Sequence, residues 1–407
     1  MIVKLALRNL LRRRTQSLLA ASAVAGGLAL IIFTTNFQDG SWAGVVDDTI
    51  RAAAGHVVVQ AEGYQEERDA ALLLSDSGAV AEKVREAAPG THVVRRLYLT
   101  GMIASPDNSV AIALHGVEPG PESKTSRVAD KLIDGAWLPD DEGAWLLIGH
   151  RLAKRLNVEV QDKVVVSLSH KGELQALPFR IAGIFEAGAP QLDNFFALAS
   201  LSAAQSMLPG VTDPATQISV QVPEREADES LYQTVRGVAG AGHEVLTWKE
   251  ALPDLYNAEQ LDKKSSNIMW FFFGALASIG ILNVLLMSLF QRIREFGMLQ
   301  ALGMRPNDIV RLLLAEGVLL GLLGSMLGLI LGSIATYPLV VYGIDFAAMQ
   351  GSVPVANVAI DTLIKGVWSW DKMLLWAAYH VLLSLLASLW PALRASRLEP
   401  VESLRAT

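Results

Sequence analysis

The chain has 407 residues and no cysteine. Disulfides, thiolate zinc sites, cysteine nucleophiles and lipid-modified cysteines are therefore excluded. The absence does not by itself assign a compartment. No G-x-x-x-x-G-K-[ST] segment occurs, so these residues do not cradle a nucleotide phosphate in the P-loop manner. Neither H-E-x-x-H nor G-x-S-x-G is present. The seven histidines are scattered. His56, His92, His115, His150, His170 and His243 read as solvated or structural groups. His380 lies in an apolar run with no histidine or carboxylate one helical turn away, which fits a packed neutral side chain better than a metal ligand. Glu66-Glu67 and Asp140-Asp141-Glu142 read as solvated loops. No basic patch points to nucleic acid.

What is present is unevenly spread. Hydrophobic residues make up 51% of the chain. Residues 38–262 hold 18 of the 34 Lys and Arg and 33 of the 41 Asp and Glu, a net charge of −15, and the remainder carries +8. An acidic polar block inside a basic apolar frame argues for a membrane protein with a large soluble insertion.

Four apolar runs are long enough to cross a bilayer core of roughly 30 Å. The first follows Lys4, Arg8, Arg12, Arg13 and Arg14, which with Leu5, Leu7, Leu10 and Leu11 form a basic amphipathic helix suited to an anionic membrane surface. Ala21-Ser22-Ala23 mimics a signal-peptide cleavage site, but the run continues to Phe33, which favours a retained span. Ile268 to Phe290 is the second run, interrupted by Asn283. Arg292, Arg294 and Glu295 stop it. Ile293, Phe296, Leu299 and Leu302 then recur every three residues, predicting a short helix with a narrow apolar stripe. Gly303 and Pro306 mark a stop and a fresh start, with Asp308 in the new first turn. In the third run Gly317, Gly321, Gly324, Gly328 and Gly332 share one helix face, which lets another helix backbone approach closely. Glu316 is its one carboxylate. It reads first as a packed or headgroup-level carboxyl and second as a coupling group. Trp368 and Trp370 precede the fourth run as an interfacial belt.

The positive flanks before the first run, between the second and third, and after the fourth belong on one side, the cytoplasm. The expected division is a cytoplasmic amphipathic helix 1–16, span one 17–37, an outer domain 38–262, a stalk end and span two 263–290, and a cytoplasmic coupling helix 291–308. Span three 309–342, an outer loop 343–371 with Asp345 and Asp361, span four 372–393 and a cytoplasmic tail 394–407 complete it. Within the outer block, strands are expected at His56–Gln60, Val93–Ala104, Val110–Val117, Lys163–Leu168, Gln175–Phe185 and Gln217–Val222. Helical patterns cover Gly78–Ala88, part of Ile148–Val160, Leu201–Leu208 and Ala227–Val238. This is a mixed α+β domain. Lys249–Ser266 reads as a polar stalk helix feeding span two.

Arg294-Glu295-Phe296-Gly297-Met298-Leu299-Gln300-Ala301-Leu302-Gly303 resembles the "R-E-[IF]-G-x-L-[RQ]-A-[IL]-G" stretch of FtsX-like permeases of the MacB superfamily, the type VII ABC transporters. Asn283, Glu316-Gly317 and the later glycines continue the resemblance. So do Ala6-Leu7-Arg8-Asn9-Leu10-Leu11-Arg12-Arg13 at the start and Pro391-Ala392-Leu393-Arg394 through Glu402-Ser403-Leu404-Arg405 at the end. Ile148-Gly149-His150-Arg151-Leu152-Ala153 leading to Val160-Gln161-Asp162-Lys163-Val164 resembles the MacB-type periplasmic core, which is usually split into a porter-like lobe and a more variable one.

The resemblance implies a non-catalytic permease subunit in the inner membrane. It implies a separate ATPase in two copies, which binds the ATP and Mg, and a second permease copy or paralogue. This chain itself needs no cofactor or metal. The ATPase-coupling residues would be Arg294, Glu295, Phe296, Gly297, Met298, Leu299, Ala301, Leu302, Gly303 and Met304, with Phe296, Leu299 and Leu302 on the docking or membrane-facing stripe. Asn283, Glu316, Gly317, Gly321, Gly324, Gly328 and Gly332 would be helix-packing residues. Among relatives, the four-span form looks most like lipoprotein-releasing permeases of the LolC/LolE type, which hand lipoproteins from membrane lipid to a periplasmic carrier. MacB-like efflux of peptides or drugs, and FtsX-like mechanotransmission to a cell-wall hydrolase without transport, are the alternatives. A tethered enzyme is disfavoured by the missing catalytic sets.

Overall fold

A computed structural model describes residues 2–12, 14–67, 72–126, 128–140, 143–188, 190–222, 229–240, 242–345 and 363–397. Asp361 with the loop 346–362, Asp141 and Glu142, the start of the helix expected from Ala227, and the tail from Leu398 through Arg405 lie outside the described residues. The chain divides into two compact units. One holds residues 1–42, 259–344 and 363–407, and the other residues 43–258 and 345–362.

The first unit is helical: α1 (Ile2–Arg12), α2 (Arg14–Thr49), α3 (Pro253–Gln291), α4 (Ile293–Ala301), α5 (Pro306–Val341) and α6 (Trp370–Ser396). Four of them, α2, α3, α5 and α6, are long and apolar enough to cross a membrane. Helices of 36 and 39 residues, α2 and α3, are about 54 and 58 Å long, well beyond a hydrocarbon core of roughly 30 Å. Accordingly α2 does not stop where its apolar run ends at residue 37, but continues to Thr49 and a π turn, Ile50–Ala54. Polar side chains take over where the apolar run fades. Asp262 of α3 accepts from Gln38 and from the Trp42 indole, the latter at 2.6 Å. Asp39 of α2 pairs with Lys372 of α6 at 2.6 Å and accepts from the Ser369 hydroxyl at 2.7 Å.

The glycine face of α5 serves two neighbours rather than one. A Cβ at Gly317 or Gly321 would press on Ser388 or Ser384 of α6, and one at Gly324, Gly328 or Gly332 on Val24, Leu28 or Ile32 of α2, all within 2.5–2.9 Å. Because α2 offers its side chains four residues apart, each drops beside one glycine. Asn283 departs from its expected packing role: it is exposed on α3, since the buried side of that helix is taken by Ile281, Leu285 and Leu289.

The second unit is α+β. Its strands are β1 (Val57–Ala61), β2 (His92–Ala104), β3 (Ser109–Val117), β4 (Leu132–Gly135), β5 (Trp145–Gly149), β6 (Lys163–His170), β7 (Glu173–Phe185), β8 (Phe196–Ser200), β9 (Gln217–Gln221) and β10 (His243–Thr247). They run in the order β10-β1-β9-β2-β3-β8-β5-β7-β4, and β6 pairs with both β7 and β2. That last pairing closes β2, β3, β8, β5, β7 and β6 into a ring. Inward residues of alternating strands fill it, among them Leu97, Leu114, Ile148, Val166, Phe179 and Ala197. The first half of β2 belongs to a second lobe with β9, β1 and β10, whose core of Val57, Val59, Ile218 and Val220 is covered by helices Ser77–Ala87 and Glu229–Ala239.

The strands and helices expected from pattern are present within a few residues. Within Ile148–Val160, Ile148 and Gly149 close strand β5, and the helix is confined to His150–Leu156, where Leu152, Ala153 and Leu156 are buried.

Candidate functional site: the short helix and the stalk clamp

The short helix α4 is two-sided. Phe296 is fully buried among Ala6, Leu289, Ile309, Leu312, Leu313, Ala392 and Ala395. Met298 is 54% exposed and Leu302 79% exposed. Arg294, Glu295, Ala301 and Gly303 also face outward, Gly297 is buried, and Leu299 and Met304 are half-buried. The expected single stripe is therefore corrected. Residues three apart step back by about 60° on a helix of 3.6 residues per turn, so after the three steps from Ile293 to Leu302 the row has wound to the opposite side. Phe296 anchors the helix, and Met298 and Leu302 form its outward edge. Gly303, at φ +96°, ends the region in a conformation that disfavours side chains. Its N–H donates to Gln300 at 3.0 Å, and Met304 donates to Leu299 at 2.9 Å.

A second anchor lies beside Phe296. Arg292, just before α4, is 5% exposed and Glu316 of α5 is 2% exposed. The guanidinium donates to both Glu316 oxygens at 2.9 and 3.1 Å, and to Glu295 at 3.2 Å. It also lies 4.8 Å from the centre of the Phe296 ring. The Asn9 amide of α1 donates to Glu316 at 2.7 Å. One carboxylate thus ties α1, the α3–α4 junction and α5 together. Breaking such a buried pair costs about 3–5 kcal/mol. Neither Asn9 nor Arg292 stood out in the sequence as a site residue. The available signal was position: Asn9 falls on the face of α1 that buries Ala6 and Leu10.

In the other unit, the π turn at the end of α2 leaves its last carbonyls without helical donors. Side chains from two strands supply them. Arg96 donates to Arg51 O at 2.7 Å and Ala52 O at 2.9 Å. The Tyr98 hydroxyl reaches Ala53 O at 2.9 Å, and Gln217 reaches it at 2.5 Å. Ser219 donates to Ala54 O at 2.6 Å and Gln221 to Arg51 O at 3.0 Å. Gly55 follows at φ +76°, where a Cβ would collide with Ser219 and Val220, so only glycine lets the turn sit this close to β9. Burial opposes the charge on Arg96, but the Glu122 carboxylate, bonded at 2.9 and 3.0 Å, outweighs it and raises the Arg96 pKa. Burial pushes the Tyr98 phenol up to about 12, so it remains a donor. The cation also suits the negative end of the helix dipole.

Of the other residues considered for chemistry, His380 is buried in α6 with Nδ1 2.9 Å from Trp376 O. Glu66 and Glu67 are exposed. Trp368 and Trp370 stack at 5.4 Å.

The sequence of the chain matches two known family models. Residues 17–238 match the MacB-like periplasmic core domain, more than half of the chain, and residues 267–400 match the FtsX-like permease C-terminal region. The chain is an FtsX-like permease of the MacB superfamily. As such it is the permease component of an ABC transporter, a class that works with an ATPase. The permease is 23% identical to the lipoprotein-releasing system transmembrane protein LolC of Xylella fastidiosa over 403 residues, 96% of this chain and 93% of that protein. It is 23% identical to LolE of Haemophilus influenzae over 75% of each chain. It is 24% identical to the pyoverdine export ATP-binding/permease protein PvdT of Pseudomonas syringae over 67% of this chain and 40% of that protein. Among solved structures, the periplasmic region of MacB from Actinobacillus actinomycetemcomitans matches 54% of this chain with a TM-score of 0.37 and 13% identity.

Proposed function

We propose that the permease couples a separate ATPase, docked on α4, to movement of its outer domain, and that its cargo is a membrane-held lipoprotein. The observation that supports coupling is the two-sidedness of α4. Its outward edge of Met298 and Leu302 offers apolar surface to a partner. Its inward side is locked to α1, α5 and α6 by Phe296 and the Arg292–Glu316 pair, so force applied there passes into the bundle. The positive flanks set the cytoplasmic side, which puts residues 38–262 and 343–371 in the periplasm and both ends of the chain inside. Two permeases, identical or paralogous, then pair with two ATPases that hold the ATP and Mg.

The end-to-end likeness to LolC supports lipoprotein as cargo, drawn from lipid and passed to a periplasmic carrier. The likeness to PvdT supports efflux as the second reading. Purification with native partners, followed by mass spectrometry, separates them. An ATPase together with an acylated lipoprotein is the expected result. An adaptor with an outer-membrane channel would make this an exporter, and a cell-wall hydrolase a force transmitter. Recovery of a folded permease with no ATPase would refute the coupling role.

A further inference from the structure

The outer face of the β2–β3–β8 ring wall forms the floor of a cavity of about 490 Å³. Tyr98, His115 and Phe196 lie across that floor as an aromatic row, with ring centres 4.2 and 4.4 Å apart. The alternation that sends Leu97, Leu114 and Ala197 into the ring sends these three outward. Ala52 to Ala54 of the stalk turn and Leu192 close in on the cavity. Protein interiors rarely keep voids larger than a few waters. A mostly apolar hollow of this volume falls instead within the range of roughly 300–1,000 Å³ typical of small-molecule sites.

Most polar side chains of its lining are engaged elsewhere: Arg51 pairs with Asp47, Gln60 donates to Glu244 and Gln65 to the Glu250 and Ala251 carbonyls, while Lys131 adds one ammonium away from the aromatic row. Arg96, Tyr98 and Gln217 are engaged with the stalk carbonyls, and the Arg96 charge is matched by Glu122. Neither ring nitrogen of His115 has a hydrogen-bond partner among the described residues. Burial, with the Arg96 guanidinium nearby, pushes the His115 pKa down to about 3, so the ring is neutral and offers one donor and one acceptor. A peptide segment would bring a donor and an acceptor at every residue, and the floor has one free pair to meet them. An aliphatic chain brings none along its length.

We propose that this cavity binds a single acyl chain carrying an uncharged hydroxyl or amide head, with His115 as the polar contact. The site stands whether or not the transported cargo is a lipoprotein. The full chain in lipid nanodiscs tests it, with a monoacylglycerol bearing a mid-chain diazirine and a terminal alkyne as probe. After irradiation and digestion, label is expected on the peptides of β3 and β8, and excess unlabelled monooleoylglycerol should remove it. Supplying the probe in the disc or from a cyclodextrin complex distinguishes a bilayer source from an aqueous one, and filling by either route supports the site. Ala113→Trp, which fills the hollow, should cut that labelling at least tenfold while labelling of the spans persists. His115→Phe keeps the ring row but not the hydrogen bond and should weaken occupancy about tenfold, whereas His115→Gln should retain most of it. If Ala113→Trp fails to fold, the His115 pair carries the test. Label confined to the spans, or equal labelling of β3 and β8 in His115→Phe, would overturn the assignment.

Discussion

Arg96 offers the sharpest perturbation of the stalk clamp. Arg96→Met keeps most of the side-chain volume but removes the donors to Arg51 O and Ala52 O and leaves Glu122, 3% exposed, without its cation. Losing one member of a buried pair costs about 3–5 kcal/mol. Protonation of Glu122 limits the penalty, because each unit of pKa rise corresponds to about 1.4 kcal/mol. We therefore expect Arg96→Met to lower the unfolding free energy of the outer domain by about 3 kcal/mol. Glu122→Gln, which can still accept from the guanidinium, should lower it by about 2 kcal/mol. Arg96→Met with Glu122→Leu should recover stability to within about 1 kcal/mol of the parent, since a buried pair can be exchanged for apolar groups at little net cost. Pulse proteolysis of the full chain across a urea series reads these values. The double variant still leaves the Arg51 and Ala52 carbonyls without the guanidinium, so it should fold yet transmit poorly, with ATP turnover no longer matched by cargo movement. A loss under 1 kcal/mol in Arg96→Met, or a double variant no more stable than the single, would refute the energetic argument. Full coupling in the stable double variant would refute the mechanical one.

Three further outcomes are expected. Met298→Asp or Leu302→Asp should weaken ATPase binding at least tenfold in a pull-down with insertion unchanged, whereas Phe296→Ala should lower the melting point of the permease itself, reflecting a core loss of about 3–5 kcal/mol. Glu316→Ala strands Arg292 in the bundle and should destabilise by about 3 kcal/mol, while Glu316→Gln, which still accepts from Arg292 and Asn9, should lose less in the same melt. The third concerns pH. His115 titrates near 3 when folded against an ordinary value of about 6.5 when unfolded. Below 6.5 the unfolded chain binds the extra proton, so stability is lost as pH is lowered through that window and recovers as pH rises. Allowing for the partial solvent access of the cavity, the loss by pH 5 should be on the order of 1 kcal/mol, and His115→Gln should flatten the melting-point slope between pH 7 and 5 by that amount.

The large-scale plan was legible because it rests on local runs. Four apolar stretches, the basic flanks and the Arg294-to-Gly303 segment each declare themselves within a few dozen residues. The contacts that give these elements meaning were not, because they join distant positions. Asn9 meets Glu316 across 307 residues, and the ring closes only because β6 returns to β2. Spacing by three concealed that Leu302 lies about 120° around the helix from Phe296 and is exposed where Phe296 is buried. The five glycines of α5 announced close packing, but nothing in their spacing said that the first two serve α6 and the last three α2. Strand β5 was hidden because its unbroken apolar run, Trp145 to Ile148, does not alternate and leads directly into a helix. Strand β8, Phe196 to Ser200, is rich in alanine and short. Strands β4 and β10 have four and five residues and few apolar ones. Arg96 read as an ordinary strand residue, because its partners are backbone carbonyls that any sequence could supply.

The absence of native cysteine permits the most direct test of the central claim, that α4 and the outer domain lie on opposite sides of the membrane. Single cysteines at Leu302 and at Lys171, an exposed turn residue between β6 and β7, would be treated with a membrane-impermeant maleimide in spheroplasts of an expressing host. Lys171→Cys should label at once and Leu302→Cys only after permeabilisation. Equal labelling of the two in intact spheroplasts would contradict the account.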